Sequence, residues 1–218
     1  MMHQTPAHPI TPPERRSPLL LPITPLETER RDGWEVVLEY EGEGEGPWLV
    51  DLSHRSRWDV QDRAIGEARP FGLAVPEEWG SARESDGLLI NRMNRTQISI
   101  WHIGPGDAPR TRGSVDSTDT TDSHCWLAIV GFGTPRVMEA LTSLDLFPPD
   151  RAGPRLTQGP VLHVPAQIVT FPDECVLIAV ARGYGQTFAE AILHSAADLG
   201  IRPGGERAFS RWRDGRPG

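Results

Sequence analysis

Apolar residues fall along the chain in short bursts, many alternating with polar residues and separated by glycine, proline and aspartate. That rhythm predicts strands and tight turns more than long helices. In the first half, residues 34–40, 47–52 and 58–60 read as strands, with a flexible acidic turn at 42–46. Residues 62–85 mix apolar positions with Gly and Pro and admit only a short helix. Residues 87–92 and 96–103 then read as a hairpin bent at 93–95. After a Gly- and Pro-rich loop at 104–113 the rhythm restarts, with strands at 115–120 and 125–131. A helix is predicted over 134–144, with Thr134 as N-cap, Pro135 at the first helical position, and Val137, Met138, Leu141 and Leu144 on one face. Residues 167–171 and 175–181 form a strand pair around a Pro172-Asp173-Glu174 turn. A last helix spans 184–199, its face made by Phe188, Ile192, Ala196 and Leu199 and its end marked by Gly200.

Residues 1–30 depart from this pattern. Pro6, Pro9, Pro12, Pro13, Pro18, Pro22 and Pro25 exclude regular helix and central strand, because each lacks an N–H and fixes φ. The segment reads as an extended or disordered arm. Leu19, Leu20, Leu21, Ile23 and Leu26 make it greasy enough to dock on a partner or back on its own domain. The expected organisation is α+β: a first subdomain at 31–113, a related second at 114–210, and a flexible tail at 211–218, with helices packed on one face of antiparallel sheet.

Composition narrows the chemistry. All 22 basic residues are arginine, so a Schiff-base lysine, a lysine base and the lysine of a phosphate-binding loop are excluded. A net charge of -8 without a basic cluster argues against nucleic acid or an anionic membrane as partner. No apolar run reaches the roughly 20 residues of a membrane helix, and no signal peptide is visible; a cytoplasmic location is expected. Cys125 and Cys175 make neither a disulfide framework nor a four-ligand zinc site, and both fall where a buried, inert thiol is expected.

Several groups of chemistry-bearing residues stand close together in the sequence. Asp116, Asp119, Asp122 and His124 lie close together but lack the glycine and terminal glutamate of a calcium loop. His102, His163 and His194 have no paired-ligand spacing, so no metal site is expected. Ser53 and His54 are adjacent, with no nucleophile elbow around the serine; Asp51 and Ser53 are expected to satisfy backbone donors where a strand ends. Gly183 to Gln186 reads as a plain helix entry rather than a phosphate cradle. Among seven tryptophans, Trp48, Trp79 and Trp212 fall near element ends and suit subunit contacts, while Trp126 suits a core.

Gly33-Trp34-Glu35, Tyr40 and Asp51-Leu52-Ser53-His54 stand in an order that resembles the aminomethyltransferase (T-protein) family of the glycine cleavage system. Asp119-Thr120 and its flanks, the strand 126–131, and the helix opening at Pro135 resemble that family's second block. Leu144-Asp145-Leu146, the strand 158–161 and Val180-Ala181-Arg182-Gly183-Tyr184 are more similar to the gamma subunit of heterotetrameric sarcosine oxidase, a small relative. Together these blocks cover most of residues 33–205. The family's C-terminal barrel and its Arg-x-Gly-Tyr-Thr-Gly-Glu segment have no counterpart here.

The resemblance implies a tetrahydrofolate pocket between two subdomains, with Asp86 as the carboxylate near the reacting nitrogen and Tyr40 and Trp101 lining it. Read from the residues alone, Asp86 is a loop aspartate making a turn. Depletion of the folate residues makes the leading expectation an accessory subunit. It would assemble with a larger flavin-dependent amine oxidase or demethylase that carries the flavin. A stand-alone tetrahydrofolate-dependent transferase is the first alternative, and a structural protein that lost folate binding is the second.

Overall fold

The computed structural model describes residues 14–109, 117–149 and 153–216. Its strands are β1 (Pro25–Arg31), β2 (Trp34–Tyr40), β3 (Trp48–Asp51), β4 (Arg57–Gln61), β5 (Ala82–Ser85), β6 (Leu88–Arg92), β7 (Gln97–His102), β8 (Ser117–Asp119), β9 (His124–Val130), β10 (Arg155–Val161), β11 (Val164–Phe171), β12 (Cys175–Ala181) and β13 (Arg202–Gly204). The helices are α1 (Thr134–Leu141), α2 (Gly185–Ser195) and α3 (Glu206–Asp214). Mixed α+β architecture with antiparallel sheets is therefore what the chain adopts, and β13 on β3 is a parallel pair. Among the described residues no helix is long and apolar enough to cross a membrane.

One sheet has the order β10-β11-β12-β9-β3-β13, a second β5-β6-β7-β4-β8, and β1 and β2 form a separate ribbon. The central strands β9 (His-Cys-Trp-Leu-Ala-Ile-Val) and β12 (Cys-Val-Leu-Ile-Ala-Val-Ala) are almost continuously apolar, because both faces of this sheet are covered. Leu127, Ile129, Ile178 and Val180 meet Val137, Met138 and Leu141 of α1 and Phe188 and Ile192 of α2 on one face. Trp126, Ala128, Leu177 and Ala179 meet Leu89 and Trp101 of the second sheet and Phe209 of α3 on the other. The outer face of the second sheet carries Val60, Leu88, Ile90, Ile98 and Ile100, covered by Ile65, Ala68 and Val75. The 62–75 stretch thus serves as a lid over apolar sheet, with only one short 3-10 turn at Pro70–Gly72.

The boundary expected at 113/114 is crossed by strands in both directions. β3 joins the sheet of the later strands by pairing with β9, and β8 joins the sheet of the earlier strands by pairing with β4. The arm from Glu14 docks on its own domain. Leu19 and Leu21 pack against the helix-side core, and the backbone of Leu20 exchanges two hydrogen bonds with the Gln186 side chain of α2. Farther along the arm, Pro25–Arg31 form β1, an almost wholly exposed edge strand without the alternation that would mark it in sequence.

The expected helices are shorter than their apolar patterns. α1 stops at Leu141, and its N-cap is Gly133 in the left-handed region rather than Thr134, whose hydroxyl donates to the Gly131 carbonyl. α2 ends at Ser195 and a 3-10 turn carries Leu199 to Gly200. A third helix, α3, replaces the flexible tail expected from residue 211 and packs on the opposite sheet face from α1 and α2.

Candidate functional site

The entry to α3 is fixed by glycine. A Cβ on Gly205 would lie 2.1 Å from the Leu38 carbonyl oxygen, and one on Gly204 would lie 2.6 Å from Trp48. Only bare backbone lets the chain press between β2 and β3 here, and that approach delivers Glu206 into the interior at the first position of α3. The Glu206 side chain is 4% exposed. His54 Nε2 lies 2.9 Å from its Oε1, and Arg55 donates to the same oxygen from Nε at 3.0 Å and Nη2 at 2.7 Å. Arg31 Nη1 donates to Oε2 at 2.5 Å. Burial opposes the charge of Glu206, but the His54 hydrogen bond and the Arg55, His54 and Arg31 charges outweigh it. The carboxyl is held well below the usual carboxylate range.

Arg55 connects this hub to the second sheet by donating from Nη1 to the Gly104 carbonyl at 2.8 Å. Gly104 in turn lies against Gly87, where a Cβ on either would come 2.8 Å from the other's Cα. His102, one residue pair away and 5% exposed, has its pKa pushed down to about 4 by burial first, then by the Arg55 and Arg213 charges. The ionised Glu206 carboxylate, held by the Arg31 and Arg55 guanidiniums and the His54 ring, makes an ion-pair keystone. Its acid is committed to two guanidiniums and an imidazole ring and has no proton to give.

A cavity of about 580 Å³ lies on the other side of His54, roofed by the arm from Glu14 to Pro25 and floored by Trp34, Val36, Tyr40, Asp51 and His54. Asp51 accepts from the Ser17 hydroxyl at Oδ2 and from the Ser53 N–H at Oδ1, 2.9 Å away. Ser53 Oγ accepts from the Trp126 N–H at 3.1 Å, so Asp51 and Ser53 do satisfy backbone donors as their sequence suggests. Arg15 and Arg182 sit over the Trp34 ring at 5.1 and 5.7 Å and pin the arm.

The residues singled out for tetrahydrofolate do not converge. Tyr40 lines the cavity, and burial, helped by the charges of Asp51 and Glu43, pushes its hydroxyl up to about 12. Trp101 is 0% exposed between the two sheets, its ring centroid 5.4 Å from that of Trp126, so no flat ligand can stack on it. Asp86 is exposed in the two-residue Asp86-Gly87 turn between β5 and β6, both residues at positive φ. Neither Asp86 nor Trp101 lines the cavity. Tyr40, Trp101 and Asp86 thus do not share one pocket among the described residues.

The cysteine thiols are both pushed up, primarily by burial and secondarily by a neighbouring carboxylate, Asp51 for Cys125 and Asp173 for Cys175. Asp119 and Asp122 belong to turns rather than a cation site: Asp119 accepts from the Thr121 N–H and Asp122 pairs with Arg15; Asp116 lies outside the described residues. No group of ligating side chains that could hold a metal occurs among the described residues. Of the tryptophans expected at contacts, Trp79 is 64% exposed, while Trp48 and Trp212 pack against the inter-sheet core. Sequence reasoning missed Glu206 altogether.

This is an α+β fold of two facing sheets packed with helices and holding a buried charged hub at Glu206. No family model matches the chain. No curated protein matches it either. Among solved structures it is similar to heterotetrameric sarcosine oxidase from Corynebacterium sp. U-96, solved in complex with pyrrole 2-carboxylate. The TM-score is 0.53 at 14% identity, and the match covers 78% of this chain and 87% of that chain. At that identity the likeness establishes a common fold.

Proposed function

We propose that the chain is an accessory subunit, similar to the sarcosine oxidase gamma subunit, of a heteromeric flavin-dependent amine oxidase or demethylase. Such a complex would act in the cytoplasm and hand its one-carbon product to tetrahydrofolate. The observation that carries this reading is the fold likeness to a chain of a heterotetramer, extending over most of both chains. Three features of the site support it. Glu206 is consumed by ion pairs, the thiols are buried and protonated, and Asp86 and Trp101 stand apart from the cavity. Flavin chemistry would belong to the larger partner. The role left to this chain is to brace the assembly.

Its surface offers anchors for that role. Phe132 is 87% exposed on a turn whose flanking residues, Gly131 and Gly133, both have positive φ. Leu20 at 84% and Tyr184 at 52% project where the arm meets α2. Large exposed aromatics on rigid turns are the type of residue that carries protein interfaces. A stand-alone transferase using tetrahydrofolate remains the competing reading, with Asp86 as its acid. Purifying the tagged chain at native expression level and identifying co-purifying chains by mass spectrometry separates the two. A stoichiometric larger flavoprotein supports the subunit reading. Isolation without a partner, together with saturable tetrahydrofolate binding that Asp86→Asn abolishes, would overturn it.

A further inference from the structure

Protein interiors are close-packed, so a space of about 580 Å³ beneath an ordered arm is not a packing accident. Its volume lies in the range of small-molecule sites, and its walls have the mixture such sites show: mostly apolar, with a few polar groups at one end. Leu19, Leu21, Ile23 and Val36 supply the apolar body. Asp51, Tyr40 and His54 supply the polar end.

The charges around the space are unevenly spent. Of the three arginines that line it, Arg15 is paired with Asp122 at 2.5 Å, Arg16 lies 3.5 Å from Glu14, and Arg30 stands opposite Glu35 across the β1–β2 ladder. His54 is committed to Glu206. Asp51 has only neutral partners, the Ser17 hydroxyl and the Ser53 N–H, and no cation pairs with it among the described residues. Tyr40, also on the floor, donates to no acceptor among the described residues. The only charges that register at its hydroxyl are the negative ones of Asp51 and Glu43. Arg182 has no carboxylate partner among the described residues. It lies over Trp34, donates to the Arg16 carbonyl, and does not line the space. The floor of this apolar chamber therefore holds one carboxylate, Asp51, with no cation paired to it among the described residues.

We propose that this chamber binds a monovalent organic cation with an apolar body, with Asp51 as its counter-ion and the Tyr40 ring and hydroxyl beside the charge. A partly desolvated carboxylate attracts a cation more strongly than one in water, and an aromatic face adds to that preference. The Ser17 hydroxyl of the arm donates to Asp51, so a bound cation would share that carboxylate with the arm. The inference stands on the cavity alone and is independent of the accessory-subunit reading.

Isothermal titration of the full chain with benzyltrimethylammonium tests it, with 3-phenylpropionate as the anion of similar body. Saturable binding of the cation is expected, with none of the anion. Asp51→Asn, which removes the charge and keeps one acceptor oxygen for the Ser53 N–H, should weaken it at least tenfold, and Tyr40→Phe several-fold. Circular dichroism of each variant checks that the fold is intact; if Asp51→Asn fails to fold, Tyr40→Phe carries the test. No saturable cation binding, equal binding by both variants, or stronger binding of the anion would each overturn the proposal. Because the isolated chain is used, none of these outcomes depends on whether a flavoprotein partner exists.

Discussion

Replacing Glu206 by glutamine keeps its volume and a hydrogen-bonding end but removes the charge that balances the hub. Arg55, with its side chain 7% exposed, would then be buried beside a neutral amide. Breaking a buried pair from one side costs about 3–5 kcal/mol, because the remaining charge is left uncompensated. Arg31 is 36% exposed, so solvent screens it and its loss adds no more than roughly 1 kcal/mol. Glu206 also opens α3, where a negative charge favours the helix by about 0.3–1 kcal/mol. The deep pair dominates, and we expect Glu206→Gln to cost about 4 kcal/mol. For a domain of this size that lowers Tm by roughly 8–16 °C. Urea denaturation followed by circular dichroism measures the cost. A double-mutant cycle with Arg55→Met isolates the pair, and the coupling should exceed about 1.5 kcal/mol. A loss below about 1 kcal/mol, or strict additivity in the cycle, would refute the keystone.

Three further outcomes follow from the same geometry. His102 has a folded pKa of about 4 against 6.5 for the free side chain, so the unfolded chain binds more protons between those values. Its stabilising contribution, present above pH 6.5, should fall away by about 3 kcal/mol as the pH drops toward 4. The depressed Glu206 adds a further loss below pH 4.5. Urea midpoints across this range should flatten between pH 4 and 6.5 in His102→Gln; an unchanged slope contradicts the assignment. Gly205→Ala would press a methyl into the Leu38 carbonyl and should cost more than about 2 kcal/mol, read as a lower denaturation midpoint. Cys125 and Cys175 should resist a thiol reagent until the chain is unfolded, and labelling of the native protein at an unfolded-chain rate would contradict their burial.

The parts of the fold that were legible are those whose burial is periodic or complete. β9 and β12 announce themselves as unbroken apolar runs, and α1 and α2 by their spaced apolar faces. Asp86-Gly87 reads as a turn because its residue types suit positive φ, and it is one. α3 escaped because Glu-Arg-Ala-Phe-Ser-Arg-Trp-Arg-Asp is dominated by charge, and its buried face rests on Glu206, Ala208 and Phe209. β1 escaped because as an edge strand it is exposed on nearly every residue. The hub left no local signal: Arg31, His54 and Arg55 lie 175, 152 and 151 positions from Glu206 and meet it only through packing. The cavity was invisible for a similar reason, being made between the arm and β2 rather than within any motif.

A subunit of a flavin-bearing assembly, as proposed for this chain, has a hydrodynamic signature. Sedimentation velocity of the natively purified material, followed simultaneously in the protein and visible flavin bands, reads it. The chain should sediment with flavin absorbance in a species much heavier than its own 24.1 kDa. Sedimentation as a colourless single chain would contradict it.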